Sequence, residues 1–436
     1  MKTAERPTDV TSRVRRQYER LPYPRRDPAD EAKRLLQTSL DDLGLVNQYC
    51  FRGRRDFGTG FRVLVAGGGT GDAVVYLAHQ LRHTDAEIVY VDLSQASLAV
   101  ARSRCAARGL DRRVTWLNGS LLDLPAMGLG RFDYVNCSGV LHHLESPEAG
   151  LAALREVLAA DGAIGLMVYA RYGRTAVYQM QELFRLAVPE AADGDDAAEV
   201  VRKALSHLPP TNWLALSGGV AGVTRVDTDE ELYDLFLHSR DRAYSVPELY
   251  AFAAGAGLHV VEFTMESRAL YEPRSVAPNW PLLPLVEKLP VLRRRAVGEI
   301  LCGSITKHLC WLSPREDSRL DVFDADNVPA FSHLADSIGV RASLAKAQGT
   351  WSLRFDLGGR AAVSVACEMT PDARRFVGLI DGRRTLADLL LAVVGDGAGP
   401  ERVRDAWAEC RRLVAALAEF DLLWFRHAST PPLRAA

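Results

Sequence analysis

The sequence has little that would place it in or across a membrane. No apolar run in its 436 residues approaches the roughly 20 residues of a transmembrane helix. The first ten residues are polar and charged and lack the apolar core of a signal peptide. The seven cysteines are scattered, with no C-x-x-C pair and no spacing typical of a metal site. These absences predict a cytoplasmic protein with reduced thiols, no membrane association, and neither disulfides nor a bound metal.

An excess of basic charge is also lacking. Lys and Arg number 53 against 55 Asp and Glu, and the formal net charge of -2 disfavours nucleic acid as a partner. Arginines do cluster between positions 13 and 55, and we interpret them as a solvated face rather than a binding patch. The length and a hydrophobic content of 48% predict a globular chain of two or three domains.

The pattern of apolar residues divides the chain into regions. Residues 1–60 predict a helical extension, and residues 61–313 predict an α/β domain that contains a helical insert at 172–243. Residues 314–349 are acidic, contain proline and lack periodicity, which indicates a linker. Residues 350–436 predict a small α+β domain of two strands and three helices.

Within the α/β domain, short β-rich apolar runs alternate with helical segments. This alternation implies right-handed βαβ units and a mostly parallel sheet with helices on both faces. The predicted strands are Phe61–Ala66, Glu87–Leu93, Val114–Asn118, Phe132–Ser138, Ala163–Tyr169, Leu258–Phe263 and His308–Leu312.

The clearest local motif follows the first predicted strand, in Val63-Leu-Val-Ala-Gly-Gly-Gly-Thr-Gly-Asp72. Gly67, Gly69 and Gly71 permit a sharp turn and the close approach of a ligand to the backbone. The amides at the start of the next helix favour a carboxylate or another anion. A dinucleotide-binding loop requires glycine at position 72, where this chain has Asp. The motif therefore disfavours a nicotinamide-linked oxidoreductase.

Three more motifs occur near the ends of later strands. Asp92 ends the second strand and is placed to accept both hydroxyls of a ribose; its alternative role is a helix cap. Asn118-Gly-Ser-Leu-Leu-Asp-Leu-Pro125 follows the third strand, where an adenine would lie. Phe132-Asp-Tyr-Val-Asn-Cys-Ser-Gly-Val-Leu-His-His-Leu144 is a strand that runs into a turn at the carboxyl edge of the sheet. Ligands bind at that edge in open α/β sheets.

In this order and spacing, the four motifs resemble those of class I S-adenosylmethionine-dependent methyltransferases, over about residues 61–170 and 244–264. The resemblance implies a Rossmann-like core and S-adenosyl-L-methionine as the cofactor. Two positions depart from the family pattern, because Val65 replaces a common acid and Ser120 replaces a common Asp. The cofactor contacts that the resemblance implies are Ala66, Gly67, Gly68, Gly69, Gly71, Asp92, Leu93, Ser120, Leu121, Cys137, Ser138 and Gly139.

A closer likeness lies in the N-terminal extension. Gln17-Tyr-Glu-Arg-Leu-Pro-Tyr-Pro-Arg25 resembles the Q-Y-E-x-x-P-Y-P-R segment of a bacterial methyltransferase subgroup, which also shares the S-G-V-L-H-H-L string found here at Ser138–Leu144. We interpret Tyr18 and Tyr23 as residues that cover the cofactor or the acceptor as a lid. The alternative is that this segment only packs on the core.

Transfer from such a cofactor needs an aligned acceptor, the exclusion of water, and a base when the acceptor is a hydroxyl or a protonated amine. His142 and His143, just after the fourth strand, are the candidate catalytic bases. The alternative is that one of them orders the loop by hydrogen bonding. Candidates to recognise a polar or anionic acceptor are Arg171, Arg174, His238, Arg240, Asp241, Arg242 and Tyr244.

The C-terminal domain resembles small winged-helix peptide-binding modules of peptide-maturation enzymes. The resemblance is carried by Ile380-Asp-Gly-Arg-Arg-Thr-Leu-Ala387 and by Leu413–Phe425; the alternative is a stabilising appendage or the contact of a homodimer. The whole chain thus predicts methyl transfer to an O or N atom of a small-molecule or peptide/protein acceptor. A non-catalytic cofactor-binding protein that works through its C-terminal module, and an RNA methyltransferase, are the alternative functions.

Overall fold

The computed structural model describes residues 7–187, 195–216, 228–238, 240–356 and 362–432. Its strands are β1 (Arg62–Ala66), β2 (Glu87–Asp92), β3 (Val114–Asn118), β4 (Phe132–Ser138), β5 (Leu158–Ala170), β6 (Ala243–Tyr244), β7 (His259–Phe263), β8 (Lys307–Ser313), β9 (Asn327–Phe331), β10 (Gly349–Asp356), β11 (Ala362–Met369) and β12 (Leu423–His427).

Helices account for most of the remaining described residues. They are α1 (Pro7–Arg20), α2 (Leu43–Cys50), α3 (Asp72–Gln80), α4 (Gln95–Ala107), α5 (Pro147–Val157), α6 (Thr175–Ala187), α7 (Asp195–Ser206), α8 (Trp213–Leu216), α9 (Asp229–Leu232), α10 (Val246–Gly255), α11 (Met265–Tyr271), α12 (Pro273–Val276), α13 (Leu283–Val286), α14 (Val291–Cys302), α15 (His333–Ser337), α16 (Val340–Lys346), α17 (Pro371–Leu379), α18 (Leu386–Val394) and α19 (Pro400–Glu419). Short 3₁₀ turns include Ser39–Asp41 and Leu141–His143, and Tyr233–Leu237 is a π-helical turn.

One large sheet forms the centre of the molecule. Its strand order is β3-β2-β1-β4-β5-β8-β7, and β6 pairs with β5 at one end. Strands β1 to β6 pair in parallel, whereas β8 is antiparallel to both β5 and β7. The predicted mostly parallel sheet with helices on both faces is confirmed, and the strand predicted at His308–Leu312 is β8.

Two apolar layers cover the sheet because its central strands are apolar on both faces. Leu64 and Val135 belong to one buried cluster, together with residues of α5 and α10. Val63 and Val65 belong to the other, together with residues of α2, α3 and α4. Val65 therefore packs in the core. This packing accounts for an apolar residue at a position where the methyltransferases that the sequence resembles often have an acid.

The residues predicted as a linker, 314–349, are structured, and this prediction is corrected. They contain β9, α15 and α16, and β9 pairs antiparallel with β12 near the end of the chain. Leu344 of α16 is buried in the same cluster as Phe376 and Leu413. The antiparallel pair β10–β11 and helices α17 to α19 appear where the sequence predicted two strands and three helices. The likeness to a winged-helix module stays a prediction.

Helix α2 connects the N-terminal extension to this C-terminal unit. The amide of Phe425 in β12 donates to Gln48 Oε1 at 3.0 Å, and Tyr49 Oη donates to Asp421 at 2.5 Å. Arg268, in the middle of α11, pairs with Asp421 at 3.0 Å. The extension, the sheet domain and the C-terminal unit therefore share one buried polar junction.

The insert between β5 and β6 has a small core of its own. Met180 and Phe184 of α6 pack with Leu232 and Phe236, which lie in α9 and the π-helical turn. Within the described ranges, no helix combines the length and the apolar character needed to cross a membrane.

Candidate functional site

A cavity of about 540 Å³ opens at the carboxyl ends of β1, β2 and β4. The glycine loop after β1, the ends of β2 and β4, and the start of β8 line it, and residues of the N-terminal extension and the insert complete it. The sheet places it where ligands bind in open α/β folds.

The glycine loop adopts backbone conformations that favour glycine. Gly67 and Gly69 have φ values of +71° and +53°, in the left-handed region. A Cβ at Gly69 would lie 2.8 Å from the carbonyl oxygen of Tyr23, so the extension approaches the loop too closely for a side chain. Tyr90 supports the loop from below and donates to the Gly69 carbonyl at 2.5 Å. The loop therefore presents bare backbone to the cavity.

Asp92 lies at the end of β2 and lines the cavity. One carboxylate oxygen accepts from the Gly69 amide at 2.7 Å, and the other accepts from the Ser94 amide at 2.8 Å. Ser94, not Asp92, caps α4 by accepting from the Ser97 amide. Burial raises the pKa of Asp92, and the two amide bonds oppose that shift. Each oxygen keeps a lone pair that a ligand hydroxyl could reach.

Most of the predicted cofactor contacts come together around the cavity. Its lining includes Tyr18, Tyr23, Gly67, Gly68, Gly69, Asp92, Leu93, Ser120, Leu121, Ser138 and Gly139. Ala66, Gly71 and Cys137 do not line it, and their expected cofactor contacts stay predictions. Ala66 and Cys137 are fully buried in the sheet. Gly71 faces helix α4, where a Cβ would lie 2.8 Å from the side chain of Ala101.

The N-terminal extension lies across the glycine loop. Thr70 Oγ1 donates to the Pro24 carbonyl at 2.6 Å, and Ser94 Oγ donates to the Tyr18 carbonyl at 3.1 Å. Glu19 accepts from the amides of Gln95 and Ala96 at the start of α4. The extension therefore covers the cavity through backbone contacts that place Tyr18 and Tyr23 on its wall.

An arginine–carboxylate cluster anchors the same extension. Arg26 makes two hydrogen bonds to Asp72, at 2.8 and 2.7 Å, and Asp72 also accepts from Arg104 at 2.7 Å. Arg104 is buried and pairs in turn with Glu31 of the extension. Asp72, which departs from the dinucleotide motif, thus holds the cover in place.

The two adjacent histidines have different environments. His143 lines the cavity, whereas His142 is completely buried, lies outside its lining, and has no hydrogen-bond partner on either ring nitrogen. Burial lowers the pKa of both. His142 packs against the Tyr169 ring, with centroids 3.9 Å apart. The structure therefore removes His142 as a candidate base.

The hydrogen bonds of His143 define its tautomer. Its Nδ1 lies 3.0 Å from the carbonyl oxygen of Arg240, which only accepts, so Nδ1 carries the proton and Nε2 keeps its lone pair. His238 stacks on it, with centroids 3.8 Å apart, and has the opposite tautomer because its Nδ1 accepts from the Arg240 amide at 3.1 Å.

Asp234, in the π-helical turn, faces the free nitrogen of His143. Its carboxylate accepts from Tyr18 Oη at 3.2 Å and from Tyr169 Oη at 2.8 Å, and lies 3.9 Å from His143 Nε2. Interruptions of this kind in helices are frequent at functional sites. This network joins the extension, β5 and the insert at one end of the cavity.

Asp41 is a second buried carboxyl on the cavity wall. It accepts from Thr38 Oγ1 at 2.6 Å, from Asn136 Nδ2 at 2.8 Å and from Tyr134 Oη at 3.1 Å. Burial raises its pKa to about 6, against the effect of these bonds. Asp41 therefore orders the loop before α2 against the end of β4.

The residues expected to recognise the acceptor do not line the cavity, and their part in recognition stays a prediction. Arg174 is sealed between Asp241 and the Tyr169 ring, and Tyr244 is part of the buried core. Arg171 and Arg242 form exposed ion pairs with Glu248 and Glu148. The remaining members of that set, His238, Arg240 and Asp241, likewise lie outside the cavity lining.

Asp41, Asp234 and Lys307 line the cavity but were not predicted as site residues. They come from the extension, the insert and the first residue of β8. No local motif marks them, because only the tertiary fold brings these segments to the sheet edge. The periodicity around the predicted last strand was a weak signal for Lys307.

Comparison with known proteins gives a match to a methyltransferase family over the strands that form this cavity. Residues 64–164 match the family described as a methyltransferase domain. An uncharacterised protein from Synechococcus sp. is 38% identical over 208 residues, which are 48% of this chain and 49% of the relative. The ubiquinone/menaquinone biosynthesis C-methyltransferase UbiE of Dinoroseobacter shibae is 28% identical over 127 residues, or 29% of this chain and 50% of the relative. The chain thus spans about half the length of these curated relatives.

Among solved structures, PKMT2 from Rickettsia typhi in complex with AdoHcy superposes with a TM-score of 0.62 at 15% identity, covering 89% of this chain and 76% of that chain. This likeness shows the fold. Together, the sheet order and this superposition show a Rossmann-like fold, and residues 64–164 of that fold match a methyltransferase domain.

Proposed function

We propose that this protein transfers a methyl group from S-adenosylmethionine to an O or N atom of a small-molecule or peptide/protein acceptor. The observation that carries the proposal is the shared cavity in which bare glycine-loop backbone and the Asp92 carboxylate meet at adjacent strand ends. The methyltransferase domain match covers the same residues.

The residues present fit this cofactor. Asp92 has lone pairs left to accept two ribose hydroxyls, and the backbone of Gly67 and Gly69 lines the part of the cavity where the methionine moiety would lie. Leu93, Ser120 and Leu121 form the wall expected beside an adenine. Ser120 Oγ accepts from the Leu122 amide, so it shapes the turn. An adenine amino group at this position would find a hydroxyl rather than a carboxylate.

The bound cofactor supplies a methyl group already activated by its sulfonium, so the chain's residues mainly orient and enclose the acceptor. Tyr18 and Tyr23 close the cavity from the extension, which limits competing water. Nε2 of the neutral His143 ring has a lone pair that can take a proton from an acceptor hydroxyl or ammonium. Asp234 faces that nitrogen and would stabilise the resulting imidazolium.

The enclosure of the site supports the proposed acceptor class. An extension that covers the cavity leaves space for a small molecule or a single protruding side chain, but not for a base-paired nucleic acid. The UbiE relative is named as a C-methyltransferase, and its similarity to this chain covers 127 residues, or 29% of this chain. Acceptor recognition in this chain depends on the extension and the insert.

Calorimetric titration with S-adenosylmethionine tests the proposal, with NAD and NADP as control ligands. We expect micromolar binding of S-adenosylmethionine alone. Asp92→Asn should weaken it by about a hundredfold, because two charge-assisted hydrogen bonds become weaker neutral ones. Asp123→Asn, at an exposed carboxylate in the turn after β3, is the matched control and should bind like the wild type.

Transfer is then measured with methyl-labelled cofactor against small-molecule and peptide fractions of a bacterial extract. Label incorporated by the wild type and lost in Asp92→Asn supports the enzyme. Tight cofactor binding with no transfer to any fraction would instead favour a non-catalytic binding protein. Absence of binding at millimolar concentration would contradict both functions.

A further inference from the structure

Lys307 is a lysine on the cavity wall that neither the fold nor the cofactor site accounts for. It is the first residue of β8 and lies directly opposite Tyr169 of β5 in the antiparallel register. Directly opposed residues project to the same face of a sheet, so the lysine and the tyrosine share one end of the cavity. Tyr169 bonds to Asp234 there.

The lysine differs from the other cations on the cavity wall in having no partner. Arg15 lies 4.0 Å from Glu19, and Arg26 is held by Asp72. Within the described ranges, the Lys307 ammonium forms neither an ion pair nor a hydrogen bond. The Lys307 side chain is exposed where it borders the cavity. Partial desolvation there lowers its pKa, and the charge of Asp234 opposes the shift. An accessible ammonium group without a partner on a cavity wall is available to pair with the counter-charge of a bound ligand.

The other polar groups at this end already have partners. Asp234 is held by two phenol hydroxyls, and Asp41 by three donors. His143 presents one unprotonated nitrogen. Met167 and Leu309 supply apolar wall beside these groups. Among the described residues, this end of the cavity thus offers one free cation, one free base and an apolar surface.

We propose that Lys307 binds an oxyanion, a carboxylate or a phosphate, of the methyl acceptor and so positions the acceptor's O–H or N–H toward His143 Nε2. The inference rests on the proposed function, because it assigns the acceptor end of the same cavity. It makes the acceptor an anionic molecule with an apolar body. Lys307 is then a specificity-determining residue.

The test uses full-length protein saturated with S-adenosylhomocysteine and three aromatic probes: benzoate, phenyl phosphate and benzamide. Each is titrated by calorimetry into the wild type, Lys307→Met and Lys307→Arg, and also into protein without S-adenosylhomocysteine. Arg171→Met, which removes a cation outside the cavity, is the matched control. We expect Lys307→Met to weaken binding of benzoate or phenyl phosphate by about tenfold or more, because a charged hydrogen bond is lost.

Supporting results are retained binding in Lys307→Arg and Arg171→Met, with benzamide and S-adenosylhomocysteine affinities unchanged in Lys307→Met. The preferred probe then separates a carboxylate site from a phosphate site. The proposal is overturned if the wild type shows no preference for the anionic probes, or if Lys307→Met weakens benzamide equally. Loss of S-adenosylhomocysteine binding in Lys307→Met would also overturn it, by assigning the lysine to the cofactor's carboxylate. Failure of the wild type itself to bind S-adenosylhomocysteine contradicts the proposed function instead, and the titrations without it still decide the role of Lys307.

Discussion

In this protein, the tertiary surroundings of a side chain determine whether it faces the cavity, and its residue type alone does not. His142 and His143 are adjacent, yet the short 3₁₀ turn Leu141–His143 directs only the second toward the cavity. The sequence motif therefore predicted the pair but not which member faces the ligand. Neither Asp234 nor Lys307 has a local signal, because each reaches the site through an insert or a strand register that long-range packing determines.

His308 provides a test of stability at this scale. It is completely buried, its Nδ1 lies 2.6 Å from Tyr271 Oη, and its Nε2 donates to the Tyr244 carbonyl at 2.7 Å. Burial lowers its pKa to about 4, below the ordinary value of about 6.5. The unfolded chain therefore binds this proton more readily, and its contribution to stability is present above pH of about 6.5 and is lost as the pH falls toward 4.

Between about pH 6.5 and pH 4, we expect His308 to lower the free energy of unfolding of the wild type by about 3 kcal/mol. The His308→Gln variant should lack this decrease. Denaturant unfolding at a series of pH values measures it. His207→Gln, at an exposed histidine, should keep the wild-type slope. Parallel pH profiles for the wild type and His308→Gln would contradict the assignment.

At the scale of elements, local patterns determine the central strands and leave distant pairings undetermined. Strands β1 to β4 appear within one residue of their predicted limits because apolar runs and the residues that follow them mark where each strand ends. Strand β9 was missed because its partner, β12, lies beyond five helices in the chain. Residues 327–331 form a strand only when that partner is present.

The N-terminal extension provides the element-scale prediction. Arg26→Ala removes two hydrogen bonds to Asp72 and leaves Asp72 with Arg104 alone. We expect amide hydrogen exchange over residues 18–26 to accelerate by about tenfold or more, since the anchoring bonds are charge-assisted. Mass spectrometry of exchanged peptides measures this.

Arg25→Ala is the matched control for this experiment, because Arg25 is exposed and contributes only its carbonyl to the cluster. Its exchange should match the wild type. If both variants exchange alike, the cover is held by the backbone contacts of Thr70 and Ser94 rather than by the arginine.

For the whole molecule, the stability prediction concerns the buried junction of Tyr49, Arg268 and Asp421. Asp421 has a φ of +51°, which Asn tolerates well, so Asp421→Asn removes the charge without adding backbone strain. We expect it to lower the free energy of unfolding by about 3 kcal/mol, because Arg268 is left buried beside a neutral group. Chemical denaturation measures the change.

Asp372→Asn serves as the comparison. Asp372 pairs with Arg402 at the surface of the C-terminal unit, and such pairs contribute about 1 kcal/mol or less. Equal losses in the two variants would show that the junction is no stronger than a surface ion pair. A loss confined to Asp421→Asn would show that the sheet domain and the C-terminal unit stabilise each other.

The contact between α2 and β12 also has a consequence for synthesis on the ribosome. The side chain of Gln48 accepts from the amide of Phe425, which is synthesised 377 residues later. The loop that carries Asp41, immediately before α2, lines the cavity. A nascent chain can therefore form its sheet and order Asp41 early, because the partners of Asp41 are Thr38, Tyr134 and Asn136. Helix α2 gains its partner in β12 only after nearly the whole chain has been made, so interrupted translation would release a sheet domain with this face of α2 uncovered.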